Sequence, residues 1–161
     1  MNEKRLAFLM RAAIILIGVC GALFCVFWLP ISFGERELTA FSWQELQKVE
    51  NWTQYTFHWV VSVPCFWLLV LAWGVASDMQ KGRLFIEKNT LRVKQATVIL
   101  LVDILLFLAG NIVFAVLGWN KLFILQLFAA TIGLIVAILL FVLSQYLMKA
   151  ANLQEECDLT V

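Results

Sequence analysis

The sequence predicts an all-α protein, a four-helix transmembrane bundle with an amphipathic helix on the outer membrane surface. Three observations predict it. Hydrophobic residues make up 63% of the 161 and charged residues 14%, where a soluble domain is about half apolar and a quarter charged; mean hydropathy is +0.89. Four apolar stretches, near residues 6–29, 55–79, 96–117 and 122–147, each reach the ~20 helical residues that cross a hydrocarbon core. The charged residues collect between and beyond these stretches. The connections are too short for a second domain, so residues 1–161 read as one integral membrane unit.

The first span, from near Leu6 to Leu29, is too long for a signal peptide, and Phe24, Cys25, Val26, Phe27 and Trp28 leave no small-x-small cleavage site. Val19 before Cys20 removes a lipobox. In the loop that follows, "FSWQEL" places Ser42 and Glu45 at capping-box spacing and Phe41 with Leu46 at staple spacing, so a helix is expected to start at Trp43. Trp43, Leu46, Val49, Trp52 and Thr53 share one side of it, which suits a surface helix that turns into the second span. A lid over the bundle is the better-supported role; a sensor of something outside is the other. In the second span, Pro64 removes a backbone hydrogen bond and crowds the carbonyl of Val60, which predicts a kink. Between the third and fourth spans only "GWNK", Gly118 to Lys121, is available, and this forces an antiparallel hairpin.

Charge gives the orientation. Of twelve Lys and Arg, Lys4, Arg5, Arg11, Lys81, Arg83, Lys88, Arg92, Lys94 and Lys149 fall on one side of the plan, and Arg36, Lys48 and Lys121 on the other. The positive-inside rule then makes both termini cytoplasmic, in the cytoplasmic membrane of a bacterium. Trp28, Trp52, Trp59 and Trp119 lie near the outer boundary as an aromatic belt.

Polar residues inside the spans cost a few kcal/mol each unless paired or wetted. Asp103 is the sharpest case, with Phe107, Gly110, Asn111 and Phe114 following on the same side of the third span. Arg11 and Gln145 enter from the same membrane face at what reads as comparable depth, and are its candidate partners. No second acid is expected within any span, so a structural pairing is favoured over a proton relay. Asn111, Gln126 and Thr131 are expected to bond between helices.

Catalytic constellations are missing from the sequence. The single histidine, His58, reads as a hydrogen-bonded anchor near the outer surface. The cysteines Cys20, Cys25, Cys65 and Cys157 form no CxxC pair, metal ligands are scattered, and there is no phosphate loop or nucleophile elbow. The expectation is a non-enzyme without cofactor or metal, whose partners are the bilayer, a second copy of itself or a protein, and not nucleic acid directly.

Two segments carry a resemblance. "GRLFIEKNTLRVKQA", Gly82 to Ala96, and the terminal "LQEECDLTV", Leu153 to Val161, resemble a family of small four-span bacterial membrane proteins catalogued as a domain of unknown function. Such proteins carry a Phe and an Asn four residues apart before the third span, matched by Phe85 and Asn89. They end in an acidic-Asn-Asp-Leu-Thr-Val or Ile signature, matched by Glu156, Asp158, Leu159, Thr160 and Val161. Cys157 departs from the usual Asn, and Ile86 from a helix-capping Ser or Thr. No activity is established for the family, but its genes often neighbour one for a short Xre-type helix-turn-helix regulator. The resemblance therefore implies a membrane inhibitor that holds such a regulator. Glu155, Glu156, Asp158 and the terminal carboxylate would meet the basic surface a regulator turns to DNA, with Leu159 and Val161 as apolar contacts. The competing role for the tail is docking on the chain's own basic loop, Lys81, Arg83, Lys88, Arg92 and Lys94. The alternative function is a small transporter or immunity-type protein handling a peptide, ion or lipophilic compound, with Asp103 as a working part.

Overall fold

The computed structural model describes residues 3–28, 47–119 and 123–159, with side chains for 5–27, 47–119 and 123–153. Helix α1 covers Glu3–Leu23 and widens into a π-type turn over Phe24–Trp28. Helices α2, α3 and α4 cover Val49–Gln80, Glu87–Val116 and Phe123–Leu159. Each of the four contains a stretch long and apolar enough to cross a membrane: Arg5–Phe27, Val49–Gln80, Glu87–Val116 and Phe123–Leu153. The chain is a multi-pass membrane protein. No strand occurs among the described residues.

The helices pack in chain order, α1 on α2, α2 on α3, and α3 most extensively on α4. Buried and half-buried positions on α3 run Thr90, Val93, Thr97, Leu100, Ile104, Phe107, Asn111 and Phe114. On α4 they run Gln126, Ala130, Gly133, Ala137, Leu140, Ser144 and Leu147. Both series alternate steps of three and four, the seven-residue period that keeps one seam of a helix facing its neighbour. Close approach depends on small residues, as it must where lipid supplies no hydrophobic drive between helices. Ile104 packs on Ala130 and Ala137, and a Cβ at Gly133 would stand 3.2 Å from its side chain. Gly110 makes room for the Phe57 ring of α2, which a Cβ there would overlap.

Polarity runs opposite to a soluble core. The largest wholly buried side chains are Gln54, Asn89 and Ser144, while bulky apolar residues such as Ile124 and Val116 face outward at more than four-fifths exposure. That is the distribution a bilayer selects.

Three expected boundaries move. Val49, Trp52 and Thr53, assigned to a surface helix ahead of the second span, form the first turns of α2, which continues unbroken through Pro64 to Gln80. The expected helix start at Trp43 lies outside the described residues, as do Arg36 and Lys121. Helix α3 begins at Glu87 rather than Ala96, because the polar segment before the apolar run is itself helical. Helix α4 continues past Leu147 to Leu159.

Candidate functional site

The polar groups gather in three places along α2. At its C-terminal end the helix closes with paired bonds: Gly82 N–H to the Met79 carbonyl at 3.0 Å and Arg83 N–H to the Asp78 carbonyl at 2.9 Å. Gly82 sits at φ 70°, the left-handed position that this helix ending requires. Ile86 then takes the extended N-cap position of α3 without a side-chain cap. Asn89, wholly buried, fastens the turn instead. Its amide donates to the carbonyls of Arg83 at 3.0 Å and Leu84 at 3.1 Å, and its oxygen accepts from Arg92 at 2.8 Å. Arg92 also pairs with Asp78, and its guanidinium lies on the backbone of Gly74, where a Cβ would come within 2.8 Å. One turn away, Arg11 of α1 donates to Ser77 at 3.0 Å and stacks over Trp73 at 5.2 Å. Two arginines from neighbouring helices thus converge on the C-terminal end of α2, where the helix dipole favours positive charge.

At the other end of α2, Gln54 donates to the carbonyl of Trp119 at 3.0 Å. Between the ends a polar line follows one face of the helix. The Nδ1–H of His58 donates to the Gln54 carbonyl at 2.7 Å, and its Nε2 accepts from the Gln126 amide of α4 at 3.2 Å; the two roles fit one neutral tautomer. Ser62 donates to the His58 carbonyl and accepts a thiol contact from Cys25 of α1 at 3.4 Å. Cys65 points to Asp103 of α3, Sγ to Oδ2 3.5 Å. Helix α2 therefore touches a polar group of every other helix.

The pairing of Asp103 is corrected by this geometry. Asp103 is buried, but against Cys65; Oδ1 is buried with no partner among the described residues. Arg11 is engaged at Ser77, twelve residues along α2 from Cys65, or roughly 18 Å at 1.5 Å per residue, so the two are not at comparable depth. Gln145 is exposed, because it stands one residue, and so about 100°, off the α4 seam that holds Ser144. Thr131 is exposed too and bonds its own helix at the Leu127 carbonyl. Asn111 is buried, and one of its contacts is donation to the Phe107 carbonyl of its own helix. Gln126 does bond across helices, to His58.

The tail sites fall at the edge of what is described. Glu155, Glu156, Asp158 and Leu159 lie on the helical end of α4, and Val161 lies outside the described residues, as does Thr160. Of the basic loop, Lys81, Arg83, Lys88 and Lys94 are exposed, while Arg92 is held by Asp78 and Asn89. No group of three or more potential metal ligands occurs among the described residues.

The Asn89 clasp and the acidic end of α4 both lie within residues 40–161, which match the family model described as "Protein of unknown function (DUF2975)". The chain belongs to the DUF2975 family. The match covers α2 to α4 and the turns between them, and leaves α1 outside. No curated protein and no solved structure matches this chain. Asp78, like Gln54 and Ser77, is a residue that sequence reasoning missed in this DUF2975 protein. Its signal is an acid in the last turn of an apolar helix, inside the 55–79 stretch and fourteen residues before an arginine.

Proposed function

We propose that this protein is a non-enzymatic regulatory membrane protein that binds a small cytoplasmic helix-turn-helix regulator through the C-terminal end of α4. The observation that carries the reading is the length of that helix. Gly133 lies against Ile104, and in an antiparallel pair of equal rise Glu87 comes level with about Ala150. Helix α4 then overhangs the start of α3 by about nine residues, roughly 13 Å. Glu155, Glu156 and Asp158 lie on this overhang, and the nine-to-three split of Lys and Arg supports a cytoplasmic position for it. An acidic helical arm there suits a partner whose basic surface otherwise meets DNA phosphate. Residues Leu159 and Val161 would set the lifetime of the complex once charge had steered the encounter.

Crosslinking from Cys157 in native membranes, followed by identification of the captured chain, tests the reading. A small helix-turn-helix protein should be captured, and should appear in the soluble fraction when Asp158 to Val161 are removed. Capture of the loop from Lys81 to Lys94 alone would replace the regulator by a self-clasp. Labelling of Cys157 only from outside intact cells would overturn the orientation as well.

The buried, unpartnered oxygen of Asp103 favours one second reading, a small transporter or immunity-type protein. In that case Asp103→Asn would abolish uptake or protection while leaving the tail complex intact.

A further inference from the structure

We propose that the seam between α1 and α2 binds one anionic phospholipid, its phosphate at Arg11 and one acyl chain along the seam. The proposal is independent of the regulator reading. Two shallow apolar grooves follow this seam. One is lined by Ile14, Leu69, Val70 and Trp73. The other also uses Leu69 and continues past Gly21 to Phe24 and Cys25. Leu69 lines both grooves, so together they make one track along the seam interrupted by its side chain, and α1 is cut back beside it: a Cβ at Gly18 would meet only the Leu69 methyl, at 3.4 Å, and one at Gly21 only the edge of Phe66, at 3.7 Å.

Length and charge select the occupant. From Ile14 to Phe24 the track is about 15 Å long at 1.5 Å per helical residue. That is half of a ~30 Å hydrocarbon core; within the Arg5–Phe27 span it straddles the middle, so a chain held from Arg11 would follow it from Ile14 past Gly18 toward Gly21. At one end stands Arg11, half exposed, with one terminal nitrogen on Ser77 and its plane over Trp73. A guanidinium has five donors in a fork that fits phosphate oxygens. Ser77 and the indole use part of that fork and hold it in place; Nε is buried without a partner among the described residues, and the second terminal nitrogen is left for a phosphate oxygen. This end of α2 also carries the exposed Lys81 and Arg83, so the field there favours a net negative headgroup over a zwitterionic one. A second copy of the chain would cover the same apolar track, but it would have to place an acid opposite Arg11. The acids of α1 and α2 are Glu3, Glu50 and Asp78; the first two are remote from that level, and Asp78 is already held by Arg92 of α3.

The test uses the full chain, extracted into mild detergent with equal amounts of phosphatidylglycerol and phosphatidylcholine and weighed by native mass spectrometry. One phosphatidylglycerol per chain should survive detergent washing that removes phosphatidylcholine. Arg11→Gln should lower the ratio of the two retained lipids at least tenfold, and Arg11→Lys less. Gly21→Leu, which fills the track, should reduce retention of both. Lys94→Gln, a charge change on the exposed face of α3, should leave retention at the wild-type level. Equal retention of the two lipids by the wild-type protein overturns the proposal, and this arm needs no variant to fold. So does an unchanged ratio in Arg11→Gln, or a mass showing two chains and no lipid.

Discussion

The two described turns of the bundle end their helices in the same way and then fasten themselves differently. After α2, the amides of Gly82 and Arg83 return to Met79 and Asp78; after α3, the amides of Gly118 and Trp119 return to Ala115 and Phe114. Both glycines are left-handed, at φ 70° and 73°. The turn beyond Gly82 is fixed by amide and ion, Asn89 holding two carbonyls and Arg92 bridging Asn89 to Asp78. The turn at Gly118 is fixed by an aromatic stack, Trp119 on Phe114 at 6.3 Å and 18°, and by Gln54 reaching the Trp119 carbonyl. The apolar contact between the residue after the glycine and the third residue from the helix end is the usual companion of this ending. At the α2 turn those positions hold Arg83 and Asp78, so packing cannot do the work and hydrogen bonds to Asn89 replace it. The same backbone device thus serves a basic membrane face and an aromatic one.

The sharpest way to break this comparison is Asn89→Ala. It leaves two carbonyls and part of Arg92 without their buried partner, and each such loss costs about 1–3 kcal/mol. Thermal or denaturant unfolding in detergent should show a loss of about 3 kcal/mol or more, the largest of the substitutions considered. A loss below about 1 kcal/mol would mean that the turn does not depend on the amide. Arg92 comes next, and its two partners should respond unequally. Asp78 lies in the last turn of α2, where the helix dipole opposes an acid. Arg92→Gln should therefore cost about 2 kcal/mol by leaving that acid uncompensated, whereas Asp78→Asn should cost about 1 kcal/mol or less, since Arg92 keeps Asn89 and the pair, 21% and 17% exposed, is still partly screened. Equal effects from the two variants would discard the dipole argument.

At the aromatic turn the expected losses are smaller. Gln54 is 2% exposed, and Gln54→Leu removes one donor from a carbonyl that has a second lone pair and an edge of the bundle near it. A loss of about 1–2 kcal/mol is expected, together with a change in the environment of Trp119 visible in its fluorescence. A Gln54→Leu variant as damaged as Asn89→Ala would show that the two turns are not fastened by means of different strength.

How much of this was legible follows from what each reading depended on. The spans depend on length and apolarity, which are properties of the chain itself, and they were found to within a few residues at their apolar ends. Asp103 was marked as buried from its depth in a span, and it is. Its partner was misread because depth was judged by residue count from the membrane face, while contact depends on which helices are neighbours. Arg11 belongs to α1, which packs on α2, and Asp103 belongs to α3. Gln145 was misassigned although the spacing of Ala130, Gly133, Ala137 and Ser144 already marks the buried stripe of α4. Asn89 was singled out by resemblance, but its role depends on Arg83 and Leu84 carbonyls whose positions only the folded turn supplies. The end of the chain is expected as an acidic tail beyond a span ending near Leu147, since Asn152 to Asp158 is polar; residues such as Leu153, Gln154 and Glu155 are nonetheless good helix formers, and the helix carries on through them.

Substituting the two glycines isolates the shared backbone from the different fasteners. Gly82→Ala and Gly118→Ala each force an L-residue into the left-handed region, at a cost of about 1–2 kcal/mol. A Cβ at Gly118 has open space around it, with no atom within 4 Å, so that variant reads the backbone cost alone. If the α2 turn is the same device with other fasteners added, Gly82→Ala should lose about the same amount, and the double variant should lose the sum, as distant independent sites do. The comparison can be made by parallel unfolding of the three variants in one detergent. A Gly82→Ala loss matching Gly118→Ala would show that the Asn89 clasp tolerates the strain. A loss approaching that of Asn89→Ala would show instead that the carbonyls of Arg83 and Leu84 are aimed by the glycine, so that the two fastenings differ in what they demand of the backbone as well as in chemistry.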